Sequence, residues 1–190
     1  MKFYLLVILV ILEWVKNVEN KDNNFIVFFD LDYTLWPFWV DTHVSPPFKI
    51  KEINEKGEKI IEDGYGFEIK LYPEVMKVLE KAKNEGIIMG TISRTCQPGW
   101  GRQLLKLFDI EKYFISTQFD TGTKTNSMKR IMKMAGIEGG FENCILYDDE
   151  ARNIIDIEDE GGIGVLINNG LNIKEFEKGI NILKSKKSKK

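Results

Sequence analysis

The sequence predicts an α/β fold in which a Rossmann-like parallel sheet lies between two layers of helices. Short apolar segments rich in β-forming residues alternate along the chain with longer segments whose apolar residues recur at helical spacing. Strands separated by helices favour right-handed crossovers and therefore a parallel, three-layer arrangement. At 190 residues the chain is long enough for one domain with a substantial core.

The first strand and the first helix have the clearest patterns. Residues 25–30 form a continuous apolar run that suits a strand buried on both faces. Residues 72–86 predict a helix with Pro73 in its first turn and Gly86 at its end. Further strands are predicted at residues 87–93, 113–119, 143–150 and 163–170, and further helices at residues 101–108, 125–136, from 149 onwards, and after the last strand.

One segment, residues 44–71, interrupts this alternation. Its polar sequence suggests two short strands around a glycine turn, which would form a small β-hairpin flap. The segment is too short for a second domain, so we expect a minimal cap over the sheet.

The two ends of the chain differ in composition from the predicted domain, residues 25–183. Residues 1–24 contain ten uninterrupted apolar residues at 3–12, about half the length needed to span a bilayer but within the range of a signal peptide. They predict either an extra helix or strand docked on the domain, or a secretory signal or membrane anchor. Residues 184–190 form a basic tail that is either solvated or in contact with an anionic partner. A cytoplasmic protein is the expectation, with membrane contact only through residues 3–12.

Composition restricts the chemistry that this chain can perform. A net charge of −2 predicts no nucleic-acid partner. Cys96 and Cys144 are far apart in sequence, which argues against a disulfide framework or a zinc site. With His43 as the only histidine, any catalysis must depend mainly on carboxylates, hydroxyls and lysine.

Polar residues of this kind gather at one edge of the predicted sheet. Ligands of parallel α/β sheets bind at the carboxyl ends of the strands. The residues at or near these ends are Asp30, Asp32, Ser93, Asp148 and Asp149, and Lys124 opens the helix before the last of these strands. Clustered carboxylates repel one another unless a cation compensates their charge, and oxygen-only ligands favour Mg²⁺ over Zn²⁺.

A Mg²⁺–phosphate site gives each of these residues a role. Asp30 ends a rigid strand and is the better candidate for the nucleophile that attacks phosphorus. Asp32 follows on the turn, where it can protonate the leaving oxygen and then deprotonate water. Lys124 and Ser93 are placed to orient and balance the phosphoryl oxygens.

These motifs resemble those of the haloacid dehalogenase-type phosphatases. Asp30, Asp32 and Thr34 match the family's first motif, Asp-x-Asp-x-Thr/Val; Ser93, Lys124 and the pair Asp148–Asp149 match the second, third and fourth. The segments FDLDYTLWPFWVDTHVSPPF, LYPEV, SRT and YDDEARNIID are similar to the magnesium-dependent phosphatase-1 group within that superfamily, and the similarity covers residues 25–183.

The resemblance implies a specific mechanism and set of ligands. It implies an aspartyl-phosphate intermediate, Mg²⁺ dependence, and phosphotyrosine or sugar-phosphate substrates carried by a small molecule or a phosphoprotein. The metal would be held by Asp30, by the backbone carbonyl of Asp32, and by the acidic pair, with Asp149 favoured as direct ligand and Asp148 as partner of Lys124. Thr34, Ser93, Arg94 and Lys124 would bind the phosphoryl group, although Thr34 could be a structural turn hydroxyl and Arg94 a salt-bridge residue.

Several alternatives stay open. A phosphoryl-accepting receiver module is disfavoured because its acidic pair would lie on the first strand, and an inactive phosphate-binding domain is disfavoured because every motif is present. Trp36, Phe38 and Trp39 either pack beneath the flap or form an aromatic wall for the leaving group. Pro98–Gly101 departs from the relatives' pattern and predicts a stiff loop before the next helix. A monomer is expected.

Overall fold

The structure is a computed structural model that describes residues 24–55 and 57–188. The apolar segment at residues 3–12 and the last two lysines of the basic tail lie outside the described residues. Within the described part of the chain, no helix combines the length and the apolar character that crossing a membrane would require.

Eight strands and five α-helices make up the described fold. The strands are β1 (Ile26–Phe29), β2 (Lys49–Ile53), β3 (Lys59–Glu62), β4 (Glu68–Ile69), β5 (Ile88–Ser93), β6 (Thr117–Phe119), β7 (Cys144–Asp148) and β8 (Ile163–Leu166). The helices are α1 (Val75–Asn84), α2 (Pro98–Leu107), α3 (Lys124–Ala135), α4 (Ala151–Asp159) and α5 (Ile173–Lys187). Two 3₁₀ turns, Glu111–Tyr113 and Phe141–Asn143, precede β6 and β7.

A parallel five-stranded sheet forms the centre of the molecule. Its strand order is β6-β5-β1-β7-β8, and β1 pairs in parallel with both β5 and β7. Alternate side chains of β1 enter two separate cores. Val27 and Phe29 pack with residues of α1, α2 and α5, whereas Ile26 and Phe28 pack with residues of α3 and α4. Helices therefore cover both faces, which confirms the predicted fold class.

The flap is a separate antiparallel sheet of three strands, in the order β2-β3-β4, where the sequence predicts two. The third strand is the two-residue β4, whose Ile69 lies opposite Ile61 of β3. Both isoleucines are buried, so burial of their side chains gives a reason for the chain to return along β3 after the turn at residues 63–67. A strand of two residues is too short to show the alternation of apolar and polar residues by which strands are predicted from sequence.

The segment Pro98–Gly101 is the first turn of α2, so the prediction of a stiff loop there is wrong. Proline suits the start of a helix because its fixed φ is helical and its missing N–H has no partner to lose. Gly101 is needed where α2 approaches β6, because a Cβ there would lie 2.7 Å from the ring of Phe119.

Candidate active site

The carboxyl ends of three neighbouring strands bring the predicted site residues together. Asp30 directly follows β1, Ser93 is the last residue of β5, and Asp148 is the last residue of β7. Since β1 lies between β5 and β7 in the sheet, its terminal carboxylate faces neighbours from both sides.

A buried cluster of three charges lies at this edge. Lys124, the first residue of α3, donates to Asp30 Oδ1 and, at 2.6 Å, to Asp148 Oδ2. All three side chains are buried. Burial raises the pKa of Asp30 well above its usual value, although Lys124 opposes this. Burial favours neutral lysine, but the two carboxylates raise the pKa of Lys124 above its ordinary value and keep it charged.

The acidic residues of this edge fit a hard metal ion. Asp30, Asp148 and Asp149 each offer a carboxylate oxygen, and these oxygens lie within 4.8 Å of one another. A site of carboxylate oxygens without nitrogen or sulfur is the donor set that Mg²⁺ prefers.

Asp148 and Asp149 differ in the hydrogen bonds that their carboxylate oxygens accept from other residues. Asp148 accepts from Lys124 on one oxygen, and from the Glu150 N–H at 2.9 Å and Asn153 Nδ2 at 2.8 Å on the other. Asp149 is only partly buried, and burial followed by the charge of Asp148 raises its pKa to about 6. The geometry therefore favours the predicted division, with Asp148 as partner of Lys124 and Asp149 open to a metal.

Asp32 lies beside Asp30, but its carboxylate has different partners. Its Oδ1 accepts from Trp36 Nε1 at 2.7 Å, and its Oδ2 accepts from the Val40 N–H at 3.2 Å. Tyr33, between the two aspartates, adopts a left-handed conformation with φ of 53°. Burial raises the pKa of Asp32 to about 6, and the two N–H donors oppose this increase.

The predicted phosphate-binding residues occupy different positions relative to this site. Ser93 and Arg94 line a cavity of about 60 Å³ at the sheet edge. Arg94 also forms an ion pair with Glu150 at 2.7 Å and contacts Asn153, as its salt-bridge alternative predicts. The Thr34 hydroxyl is buried and, among the described residues, has no hydrogen-bond partner. It is absent from the residues that line this cavity, which are Asp30, Asp32, Trp39, Ser93, Arg94, Lys124, Asp149 and Glu150.

The three aromatic residues after the first motif separate into two groups. Trp36 and Phe38 are buried in the core, where their rings stack with centroids 5.6 Å apart. Trp39 is 48% exposed and lines the cavity, with Tyr33 and His43 packed against it. Trp36 and Phe38 are therefore packing residues, whereas for Trp39 an aromatic wall for the leaving group stays a prediction.

One residue that the sequence analysis missed joins two loops around the site. Asp41 accepts from Thr95 Oγ1 at 2.9 Å and from the Cys96 N–H at 3.1 Å. It thereby ties the loop that contains Trp39 and Val40 to the loop that follows Ser93. No local pattern identifies such a residue, because its partners lie 54 and 55 positions away.

The chain matches known proteins over most of its length. Residues 24–186 match a family described as Acid Phosphatase. The human protein named Magnesium-dependent phosphatase 1 is 40% identical over 152 residues, covering 80% of this chain and 82% of the relative. A HAD-like hydrolase superfamily protein of Schizosaccharomyces pombe is 35% identical over 148 residues, covering 73% of this chain and 81% of the relative.

Solved structures share the fold at low sequence identity. A HAD-superfamily hydrolase from Ehrlichia chaffeensis superposes with a TM-score of 0.56 at 14% identity, covering 84% of this chain and 96% of the other. A protein from Listeria monocytogenes superposes with a TM-score of 0.57 at 14% identity, covering 85% of this chain and 99% of the other.

Proposed function

The chain belongs to the acid phosphatase family, within the haloacid dehalogenase-like superfamily, and from this premise we propose that it hydrolyses phosphomonoesters through an aspartyl-phosphate formed on Asp30. This membership confirms the resemblance that its motifs predict. The chain is a Mg²⁺-dependent phosphatase. The observation that carries the proposal for its mechanism is the buried cluster of Asp30, Lys124 and Asp148 beside the half-buried Asp149.

In the first chemical step, a carboxylate oxygen of Asp30 forms a bond to phosphorus as the bond to the leaving oxygen breaks. Asp32 donates its proton to that leaving oxygen. In the second step Asp32 takes a proton from water, whose oxygen attacks phosphorus and releases Asp30 and inorganic phosphate. The two aspartates line the same cavity, which supports a role for both at the same phosphoryl group.

The same residues provide the groups that would compensate the negative charge of the phosphoryl group. Lys124, already held between Asp30 and Asp148, supplies a fixed positive charge for the phosphoryl oxygens, and Ser93 supplies a hydroxyl. Mg²⁺ bound by Asp30, Asp149 and the backbone carbonyl of Asp32 would neutralise the negative charge that the acids and the phosphate bring together.

For the substrate we propose phosphotyrosine-type aryl phosphates, with sugar phosphates as the second class. Trp39 supports the aryl class, because its exposed indole lies at the cavity and offers a flat apolar surface to a leaving group. The small flap supports a site that a phosphorylated protein residue can enter. A panel of phosphotyrosyl peptides and sugar phosphates tests this choice, and a preference for sugar phosphates that Trp39→Ala leaves unchanged would contradict it.

The mechanism is tested by replacing the nucleophile. We expect Asp30→Asn to abolish hydrolysis of p-nitrophenyl phosphate, chelation of Mg²⁺ to silence the wild-type protein, and fluoroberyllate to inhibit it as a mimic of the phosphorylated aspartate. Asp156→Asn, an exposed acid of α4, is the matched control and should retain activity. Turnover by a folded Asp30→Asn protein would exclude Asp30 as the nucleophile.

A further inference from the structure

We propose that Trp36 is a positioning residue that orients the carboxyl group of Asp32 for proton transfer to the leaving oxygen. This inference rests on the proposed function, since it assigns a partner to the acid of that mechanism. Trp36 lies in a segment that carries the family resemblance, but the sequence alone assigns it no role in proton transfer.

Two donors hold the carboxyl group of Asp32, one on each oxygen. The indole N–H of Trp36 donates to Oδ1 at 2.7 Å, and the backbone N–H of Val40 donates to Oδ2 at 3.2 Å. A carboxyl group that accepts a hydrogen bond at each oxygen cannot rotate about its Cβ–Cγ bond without losing one of them. The two donors therefore fix the orientation of the Asp32 carboxyl group relative to the cavity that Asp30 and Asp32 line.

The indole that supplies one of these donors is itself buried and packed against other aromatic rings. Trp36 is 0% exposed. Its ring lies nearly parallel to that of Phe38, with centroids 5.6 Å apart, and 6.4 Å from that of Phe108. A backbone bridge between Asp32 and Trp36 fixes the spacing of the two residues.

A core tryptophan needs a partner for its N–H, whereas a phenylalanine of similar shape needs none. At this position the partner is the Asp32 carboxylate, and the hydrogen bond is buried. The choice of tryptophan thus provides a hydrogen bond to the carboxyl group as well as an apolar ring for the core.

The dependence of the reaction rate on the leaving group is a readout that a loss of packing alone would not change. A nitrophenolate leaves without much help from an acid, whereas the alkoxide of an alkyl or sugar phosphate requires a proton as the bond to phosphorus breaks. A misplaced Asp32 should therefore slow alkyl phosphates more than activated aryl phosphates.

The test compares Trp36→Phe with the wild-type protein on p-nitrophenyl phosphate, phenyl phosphate and glycerol phosphate. We expect kcat/KM, which reports the first chemical step and not the common hydrolysis of the phosphorylated Asp30, to fall about 10- to 100-fold on glycerol phosphate and less than about 3-fold on p-nitrophenyl phosphate. In an Asp32→Asn background, Trp36→Phe should cause no further loss that depends on the leaving group, because the group it positions is no longer an acid.

Two further variants keep the test decisive. Phe108→Leu loosens the stacking around Trp36 but keeps its N–H, so it should lower stability without the leaving-group effect. Site-specific incorporation of benzothienylalanine at position 36 replaces the N–H by sulfur at nearly constant shape, and it decides the question if Trp36→Phe fails to fold.

An equal loss of kcat/KM on all three substrates would overturn the inference. So would the same leaving-group pattern in Phe108→Leu, or an additive effect in the Asp32→Asn background. Failure of the proposed function itself is distinguishable, because the wild-type protein would then show no Mg²⁺-dependent turnover of any of these esters.

Discussion

At the scale of single residues, Lys124 joins two buried carboxylates at the catalytic edge. Its ammonium lies between the carboxylates of Asp30 and Asp148, and all three groups are buried. Removing one partner of a buried ionic network leaves uncompensated charge in a region with little water. The lysine should therefore matter for stability as well as for catalysis.

We expect Lys124→Met to lower the free energy of unfolding by about 3–5 kcal/mol, the range for breaking a buried pair. Added Mg²⁺ should recover part of this loss, because it binds the acids that the lysine no longer compensates. Chemical denaturation with and without Mg²⁺ measures both effects.

Lys129→Met provides the matched control, since Lys129 lies on the same helix and its pair with Glu160 at 3.3 Å is at the surface. It should cost less than about 1 kcal/mol. Equal losses in the two variants would show that the buried cluster contributes no special stability.

The sequence predicts the meeting of Asp30, Lys124 and the acidic pair, because parallel strands bring their carboxyl ends to one edge. The partners of Asp32 could not be predicted in this way. Trp36 is only four positions from Asp32, but the sequence does not show that its ring packs in the core with the N–H directed at the carboxylate. Asp41 depends on contacts between distant loops, which appear only after the whole sheet has formed.

At the scale of elements, the flap depends on the turn between β3 and β4. Asp63 accepts at Oδ1 from the N–H groups of Tyr65 at 2.9 Å and Phe67 at 2.8 Å, and at Oδ2 from Ser45 at 3.1 Å. Burial works to raise the pKa of Asp63, but the hydrogen bonds from Phe67, Tyr65 and Ser45 lower it below its usual value. The charged carboxylate therefore closes the turn and attaches it to the loop at Ser45.

We expect Asp63→Asn to lower the free energy of unfolding by about 1–3 kcal/mol near neutral pH, because the amide nitrogen cannot accept from Ser45. Since the folded pKa is lowered, the contribution of Asp63 is present above its ordinary value of 3.8 and is lost as the pH falls through the folded value. The difference between wild-type and variant should therefore shrink between about pH 5 and about pH 3. A difference that stays constant over this range would show that charge plays no part.

The order and type of the predicted elements agree with the structure, whereas some boundaries do not. Buried runs such as residues 25–30 predict their strands because five or six consecutive apolar residues suit a central position in the sheet. The predicted strand at residues 113–119 is shorter, since only Thr117–Phe119 pairs with β5. The chain before β6 is a 3₁₀ turn, Glu111–Tyr113, whose aromatic residue resembles a strand residue in sequence.

At the scale of the whole molecule, α5 packs closely against strand β7 of the central sheet. Gly179 allows this approach, because a Cβ there would lie 2.3 Å from Tyr147 Oη and 2.9 Å from Ile145 Cγ2. The same tyrosine donates to the Phe176 carbonyl of α5 at 2.5 Å. The last helix and strand β7 therefore pack closely against each other at this glycine.

We expect Gly179→Ala to lower the free energy of unfolding by about 1–3 kcal/mol, since overpacking outweighs the better helix propensity of alanine. Gly99→Ala in α2 is the control, because nothing lies within 4 Å of a Cβ at that position, and it should be neutral or stabilising by up to about 1 kcal/mol. Thermal unfolding of the two variants separates these outcomes, and equal stability of both would contradict the close packing of α5.

The path of α5 also determines where the two ends of the described fold lie relative to the catalytic edge. The helix begins near the Thr34 turn, where Leu171 N–H donates to the Thr34 carbonyl at 2.9 Å, and it runs back until Lys187 lies 5.4 Å from the ring centre of Phe25. Both ends of the described fold thus emerge on the side away from the catalytic edge. A tether or fusion partner joined directly at Ser188 would therefore start from the side of the sheet opposite the phosphate cavity.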